Sequence, residues 1–418
     1  MRSENAQLSD IEIPVERLQL GMYVAELDRP WLGTPFLFQG FRITNDDELQ
    51  QLREICRSVR VDSVLTDPSL LREAAAKAPS PAQSSMPPNT IFTQVKSTSI
   101  HSRCTMPDEL SRARSVHADL TAVVTDAMEE LRKDRVVELD RLRAASTPLI
   151  DSVDANPDAL IWLASIRRKD DRMYRQSIAT AILAVTYGRH LGLPRNALSD
   201  LAVGGLLFDV GKTRIPDAIL HKPGVLTDAE FALYKTHVAE GLAILERCRG
   251  VNEAMLTMAR THHERHDGSG YDLGLRADEI PAFGKIAGIV DAYETMLTTA
   301  AKTQRHSAHN ALSYLTRRRG GEFDAALVEE FIQAIGIYPT GSIVRLSDGR
   351  IGLIVEQNRM RRLQPKIMIV MDAQQQPLSA FESVDLLTAG EGPDGRRLSV
   401  AECLEAGAYG ITAEDYYL

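Results

Sequence analysis

Gly204 to Lys212 reads GGLLFDVGK. An apolar run ends there on a carboxylate, Asp209, with Gly211 and Lys212 close behind it. Runs of this kind stop at a charge for a reason, because a charge at the edge of a core is costly unless something uses it. The stretch lies inside a long region, Asp151 to Gly336, where apolar residues recur at helical spacing and strand-like alternation is scarce. The expectation is an all-α domain of seven or more helices, the largest core of the chain. One helix is marked clearly by TDAEFALYKTHVAEGLAIL: Thr227 and Glu230 form a capping-box pattern, and Phe231, Tyr234, Val238 and Leu245 recur at helical spacing. That reading puts His237 on a helix.

Outward from this region the pattern changes on both sides. Residues 8–70 carry short apolar runs, MYVAEL and FLFQGFRI, then the helical DDELQQLREIC and a β-rich VRVDSVLTD, which together predict a small α+β domain. Residues 71–107 are rich in Ala, Pro and Ser and read as a linker. Residues 108–150 predict a connecting helix, with Leu120, Val123, Val124, Met128 and Leu131 as its apolar positions. After residue 336, GSIVRLSDGRIGLIVEQ and KIMIVMDAQQQPL are β-rich, and Asp348-Gly349 is a hairpin signal, so residues 337–418 form a C-terminal β-hairpin appendage. The fold class is mainly α, with small β-containing parts at each end.

The totals narrow the function. At 418 residues, with 44% hydrophobic and 25% charged residues, the chain reads as a multidomain soluble protein. A formal net charge of -9 argues against bulk nucleic acid as a partner, although a local basic pocket for a small phosphorylated ligand fits. The four cysteines are far apart and make no CxxC pair, which speaks against a thiolate zinc site or a disulfide framework and for a reducing compartment. The N-terminus lacks a signal-peptide apolar region, and no apolar run approaches bilayer length. A cytoplasmic location without membrane contact is expected.

Chemistry concentrates in the helical region: Asp209, His237, the pair His262-His263, and Asp291, in a chain with ten histidines. Imidazole and carboxylate suit iron, manganese, zinc or nickel, and such residues on separate helices can converge inside a bundle. An isolated helical histidine is usually structural, so the adjacent pair in THHERHDGSGYD weighs more: neighbours on a helix differ by about 100° and can address two points. It also runs into a Gly-rich loop whose amides can approach a phosphate. Asp291 sits in GKIAGIVDAYETML, where Ala287 and Gly288, one turn earlier, leave room for another element. Lys212 can meet a phosphate oxygen or pair with a carboxylate.

In this order LLFDVGK, IPDAILHKPGVLTDAEFALYKTHVAEG, THHERHDGSGYD and IAGIVDAYETML resemble the HD-GYP domain family, a branch of the HD superfamily of metal-dependent phosphohydrolases. The N-terminal LGMYVAELDRPWLGTPFLFQGFRI looks like the accessory domain often placed before such domains. The resemblance spans nearly the whole chain. It implies an all-α site with two or three metals, usually iron or manganese, that hydrolyses cyclic di-GMP. Carried over residue by residue, it makes Asp209, His237, His262, His263 and Asp291 metal ligands, Asp209 and Lys212 catalytic, and Gly268, Gly270, Tyr271, Lys302 and Arg305 ligand-binding.

The resemblance also marks departures. The family's name-giving His-Asp pair falls on Phe208-Asp209, an upstream ligand histidine falls on Gln176, and a carboxylate five residues earlier corresponds to Asp171. Asp272 stands where the Gly-Tyr signature expects proline. One metal would use the positions of Gln176, Phe208, Asp209 and Asp291, of which two carboxylates survive; neighbouring metals would use Asp209, His237, His262 and His263, all retained. The expectation is a degenerate member with fewer metals, binding cyclic di-GMP or a signalling protein partner with little or no hydrolysis. The alternatives are an active phosphodiesterase with an altered metal centre and a dimerisation scaffold that keeps its histidines as remnants.

Overall fold

The computed structural model describes residues 10–28, 41–43, 45–62, 66–67, 69–71, 102–166, 172–222, 224–298, 307–359, 361–390, 397–411 and 416. The chain divides into two units, Met1–Thr90 and Ile91–Leu418. In the first, strands β1 (Asp10–Pro14), β2 (Tyr23–Leu27), β3 (Phe41–Arg42) and β4 (Ser58–Asp62) form an antiparallel sheet of order β1-β4-β2-β3. Helix α1 (Asp46–Ile55) begins where the Asn45 side chain accepts the Glu48 N–H. Val24, Val59 and Val61 alternate inward and meet Leu49 and Leu52 in a small core, the α+β arrangement that the patterning predicts.

The second unit is a helical bundle closed by a sheet. Its helices are α2 (Met106–Arg132), α3 (Leu139–Ala155), α4 (Pro157–Ser165), α5 (Arg172–His190), α6 (Arg195–Leu207), α7 (Asp217–Leu220), α8 (Asp228–Lys235), α9 (His237–Leu245), α10 (Glu253–Thr261), α11 (Ala282–Thr298), α12 (Ala308–Arg318) and α13 (Ala325–Ile335). The stretch expected to be one connecting helix is two. Asp134, with φ 59°, turns the chain between them, and its carboxylate is held by Arg214 and Arg247. Both helices belong to the main core: Leu120, Val124, Met128 and Leu131 on α2 pack with Leu142, Leu149 and Val153 on α3. The first of the two starts at Met106, capped by Thr105, inside the stretch expected as linker; residues 72–101 of that stretch lie outside the described residues.

The C-terminal hairpin is part of a five-stranded antiparallel sheet, order β8-β7-β6-β5-β9, built from β5 (Ile343–Leu346), β6 (Ile351–Glu356), β7 (Lys366–Met371), β8 (Pro377–Asp385) and β9 (Val400–Cys403). Gly349, with φ 90°, makes the turn between β5 and β6 that Asp348-Gly349 signals. One face of the sheet, with Ile351, Leu353 and Met368, shares the core of the helices; the other, with Val344, Ile354 and Ile367, encloses a second cluster. A buried carboxylate pins the two layers. Asp158 on α4 accepts from Thr340 Oγ1, the Gln357 amide and Arg359. Burial raises its carboxyl, with Arg359 opposing.

The helix expected to run from Thr227 through Leu245 breaks at Thr236 into α8 and α9. The capping box at Thr227 and Glu230 is formed, and Val238 and Leu245 are buried. Phe231, on the same helical period, is instead 43% exposed. Among the described residues, no helix is long and apolar enough to cross a membrane.

Candidate metal centre

Four side chains converge where helices end. After α6, Phe208 caps the helix in helical conformation and Asp209 leads a 3-10 turn, Val210–Arg214. His237 opens α9, and His262 follows α10 as its cap with His263 next. Glycines allow the elements to meet. A Cβ at Gly211 would lie 1.9 Å from the His237 carbonyl, and one at Gly288 on α11 would lie 2.9 Å from the His262 carbonyl. The close approach expected at Gly288 is therefore made by the histidine pair's own backbone.

The atoms that Asp209, His237, His262 and His263 can offer to a cation all lie within 4.8 Å of one another, and the three histidines are buried. His237 Nε2 and His262 Nε2 are 3.5 and 3.4 Å from Asp209 Oδ1, and His263 Nε2 is 3.1 Å from His237 Nε2. His237 Nδ1 donates to the Tyr234 carbonyl at 2.6 Å, and His262 Nδ1 donates to the carbonyls of Met258 and Ala259. Carbonyls only accept, so both rings carry the proton on Nδ1 and turn a bare Nε2 lone pair towards Asp209.

Those lone pairs test whether a cation fits. Asp209 Oδ1 and His262 Nε2 are buried and lack a hydrogen-bond partner. Two acceptors facing each other without a donor repel, and a divalent cation between them would satisfy both. The charge states agree. Burial lowers His237 to about 4 and His263 well below the ordinary imidazole range, so both are neutral at pH 7, the form that binds metal. Burial pushes the Asp209 carboxyl up, but the Lys212 ammonium holds it well below the usual carboxylate range. Burial likewise opposes the Lys212 charge, and Asp209 more than offsets it.

The two oxygens of Asp209 have different neighbours. Oδ1 faces the histidines, whereas Oδ2 is 2.5 Å from Lys212 Nζ. Asp291, 3% exposed on α11, borders the group: its Oδ2 is 3.8 Å from His263 Nδ1, and it accepts from Thr295. Burial raises its carboxyl, and the neighbouring Asp209 charge adds to that. Phe208 is 2% exposed, and its ring lies 4.6 Å from the His262 ring at a tilt of 32°. Gln176 is half-buried on α5, a helix packed on both α6 and α11.

Gly268 (φ 79°) and Gly270 shape the loop after the histidine pair, and Tyr271 stacks on His263 at 4.6 Å. Lys302, Arg305 and Asp171 lie outside the described residues. Glu264, which the sequence reading passed over, organises this loop. Its buried carboxylate accepts the backbone N–H groups of Asp272, Leu273, Gly274 and Leu275 at 2.6 to 3.1 Å. The signal was an acid placed directly before a Gly-rich segment whose amides need acceptors. Tyr234, under Lys212, and Lys235, over Tyr271, were also missed.

A helical bundle that gathers aspartate and histidines at its helix ends is the HD arrangement, and residues 162–327 match the family described as HD domain. Residues 10–142 match a domain of unknown function (DUF3391), and residues 343–390 match a KOW domain associated with HD domain. The cyclic di-GMP phosphodiesterase PA4108 of Pseudomonas aeruginosa is 31% identical over 388 residues, which cover 91% of this chain and 89% of that protein. A cyclic di-GMP phosphodiesterase of Vibrio cholerae is 38% identical over 132 residues, 30% of this chain and 27% of that one. The solved structure of an HDG"Y"P protein from Bdellovibrio bacteriovorus is 15% identical with a TM-score of 0.45, covering 77% of this chain and 98% of its own. The chain belongs to the HD-GYP family.

Proposed function

We propose that this protein is a signalling module that holds one divalent cation, binds cyclic di-GMP, and hydrolyses it little or not at all. The observation that carries this reading is the Phe208 ring, buried against His262 at the position where the family resemblance puts a metal-binding imidazole. An apolar ring offers no lone pair and keeps a second charged centre out.

Asp209 Oδ1, His237, His262 and His263 would hold the cation, with Asp291 orienting His263. A bound divalent cation would supply positive charge to a phosphodiester oxygen. Three imidazoles and a carboxylate suit iron, manganese or zinc, and the family resemblance favours the first two. The relatives' names supply the dinucleotide: both curated proteins described above are cyclic di-GMP phosphodiesterases. The competing reading is an active phosphodiesterase with an altered centre; what favours it is that the four remaining ligands are still within reach of one ion. On the signalling reading the output passes to a protein partner or a second copy of the chain.

Incubation of manganese- or iron-loaded protein with cyclic di-GMP, followed by calorimetry and chromatography of the recovered nucleotide, separates the two. Saturable binding with the cyclic dinucleotide recovered intact is expected. Stoichiometric conversion to a linear product would establish the competing reading instead.

A further inference from the structure

Periodicity assigns Phe231 to the apolar side of its helix, yet the ring is 43% exposed and stands beside the metal cluster. From the cluster outward, Tyr271 stacks on His263 with ring centres 4.6 Å apart, and Phe231 meets Tyr271 edge-on at 6.0 Å. Tyr234 lies nearly parallel to Phe231 at 6.4 Å and contacts the His237 ring at 4.9 Å. Two ammonium groups join these rings. Lys235 Nζ is 5.2 Å from the Phe231 centre and 5.7 Å from that of Tyr271, and Lys212 Nζ is 5.8 Å from that of Tyr234.

Each half of this arrangement has a local cause. The break at Thr236 frees α8 from the bundle core and leaves it without buried residues, so Phe231 and Lys235 project beside the loop. The four N–H bonds to Glu264 hold residues 272–275, which fixes Tyr271 from the other side. The result is an open aromatic surface with cations at its edge, a few ångströms from a centre suited to phosphodiester oxygens. Exposed rings stack on bases because every base has a π-face, and an ammonium pairs with the O6 and N7 acceptors of guanine.

We infer that Phe231 and Lys235 form a purine-binding subsite that stacks one base of the dinucleotide beside the metal centre and favours guanine over adenine. The inference rests on the cyclic di-GMP reading above and deepens it. Phe231 is a stacking surface and Lys235 an acceptor-edge contact; neither belongs to the metal-ligand set.

The test compares the metal-loaded full chain with its Phe231→Ala, Phe231→Trp and Lys235→Ala variants, using cyclic di-GMP, cyclic di-AMP and inorganic phosphate as probes. Phe231→Ala is expected to weaken cyclic di-GMP binding by about ten-fold, as loss of one base stack does, with metal content and inorganic phosphate affinity unchanged. Phe231→Trp should keep the affinity and show a change in indole emission on binding. Lys235→Ala should narrow the preference for cyclic di-GMP over cyclic di-AMP. If the unmodified chain binds cyclic di-GMP and Phe231→Ala binds it equally well, the subsite is overturned while the proposed function stands. If the unmodified chain binds no cyclic di-GMP, the proposed function falls and the subsite with it. Equal weakening of inorganic phosphate by Phe231→Ala would also overturn the subsite, since it would mean a disturbed centre rather than a lost stack.

Discussion

The double variant Gln176→His with Phe208→His is expected to bind a second ion and to hydrolyse cyclic di-GMP at least about 100-fold faster than the unmodified chain. Two ions about 3.5–4 Å apart stabilise both the attacking and the leaving oxygen, and the second is worth several kcal/mol of transition-state charge. Each 1.36 kcal/mol is about a factor of ten in rate, so two orders of magnitude is the conservative figure. The geometry favours restoration. Phe208 already points at the cluster, with its ring 4.6 Å from His262, and α5 with Gln176 packs on α11, which carries Asp291, and on α6, which ends just before Asp209. Phe208 is 2% exposed, so its replacement gives up buried apolar area, a cost of roughly 1.5–3 kcal/mol. Rates therefore need to be read on samples whose melting transition is intact at the assay temperature. Uptake of the second ion without any gain in turnover would show that the number of ligands does not set the rate of hydrolysis.

Replacing His262 and His263 together by alanine is expected to empty the centre. The remaining donors would be Asp209, already shared with Lys212, and His237, and two ligands do not hold a divalent ion against water. Loss of a group that merely orients a ligand already costs roughly 10–100-fold in metal affinity, so loss of two ligands should exceed about 100-fold. Metal content after desalting, measured by plasma mass spectrometry, should fall from one ion per chain to a trace. The buried acceptors point the same way: with His262 gone, Asp209 Oδ1 loses the lone pair it opposes, and the demand for a cation disappears. Undiminished metal content would place the ion elsewhere.

The sequence was most informative where a pattern is local. Helical periodicity located the bundle, the Thr227 and Glu230 pair located a helix start, Asp348-Gly349 located a hairpin, and Gly288 announced a close approach that the His262 carbonyl makes. The convergence of Asp209, His237, His262 and His263 was legible because residue types suited to metal recur at three separate places in the helical region. What depended on tertiary contacts was not. The break at Thr236 interrupts a continuous apolar period because Gly211 and Gly241 bring the 3-10 turn against the start of α9. Glu264 looked like one more surface acid, and its role is visible only when the loop wraps back to give it four amides. The sheet's share in the helical core was likewise hidden, since the continuous apolar run of β6, buried on both faces, does not name the partner that covers each side.

On the proposed function, Phe208 leaves a centre for one ion. The most direct measurement is the number of iron or manganese ions per chain after anaerobic reconstitution, with cyclic di-GMP hydrolysis followed in the same sample. One ion per chain and an intact cyclic dinucleotide are expected. Two or more ions accompanied by a linear product would contradict the proposed function, and would mean that other side chains complete the site around Phe208.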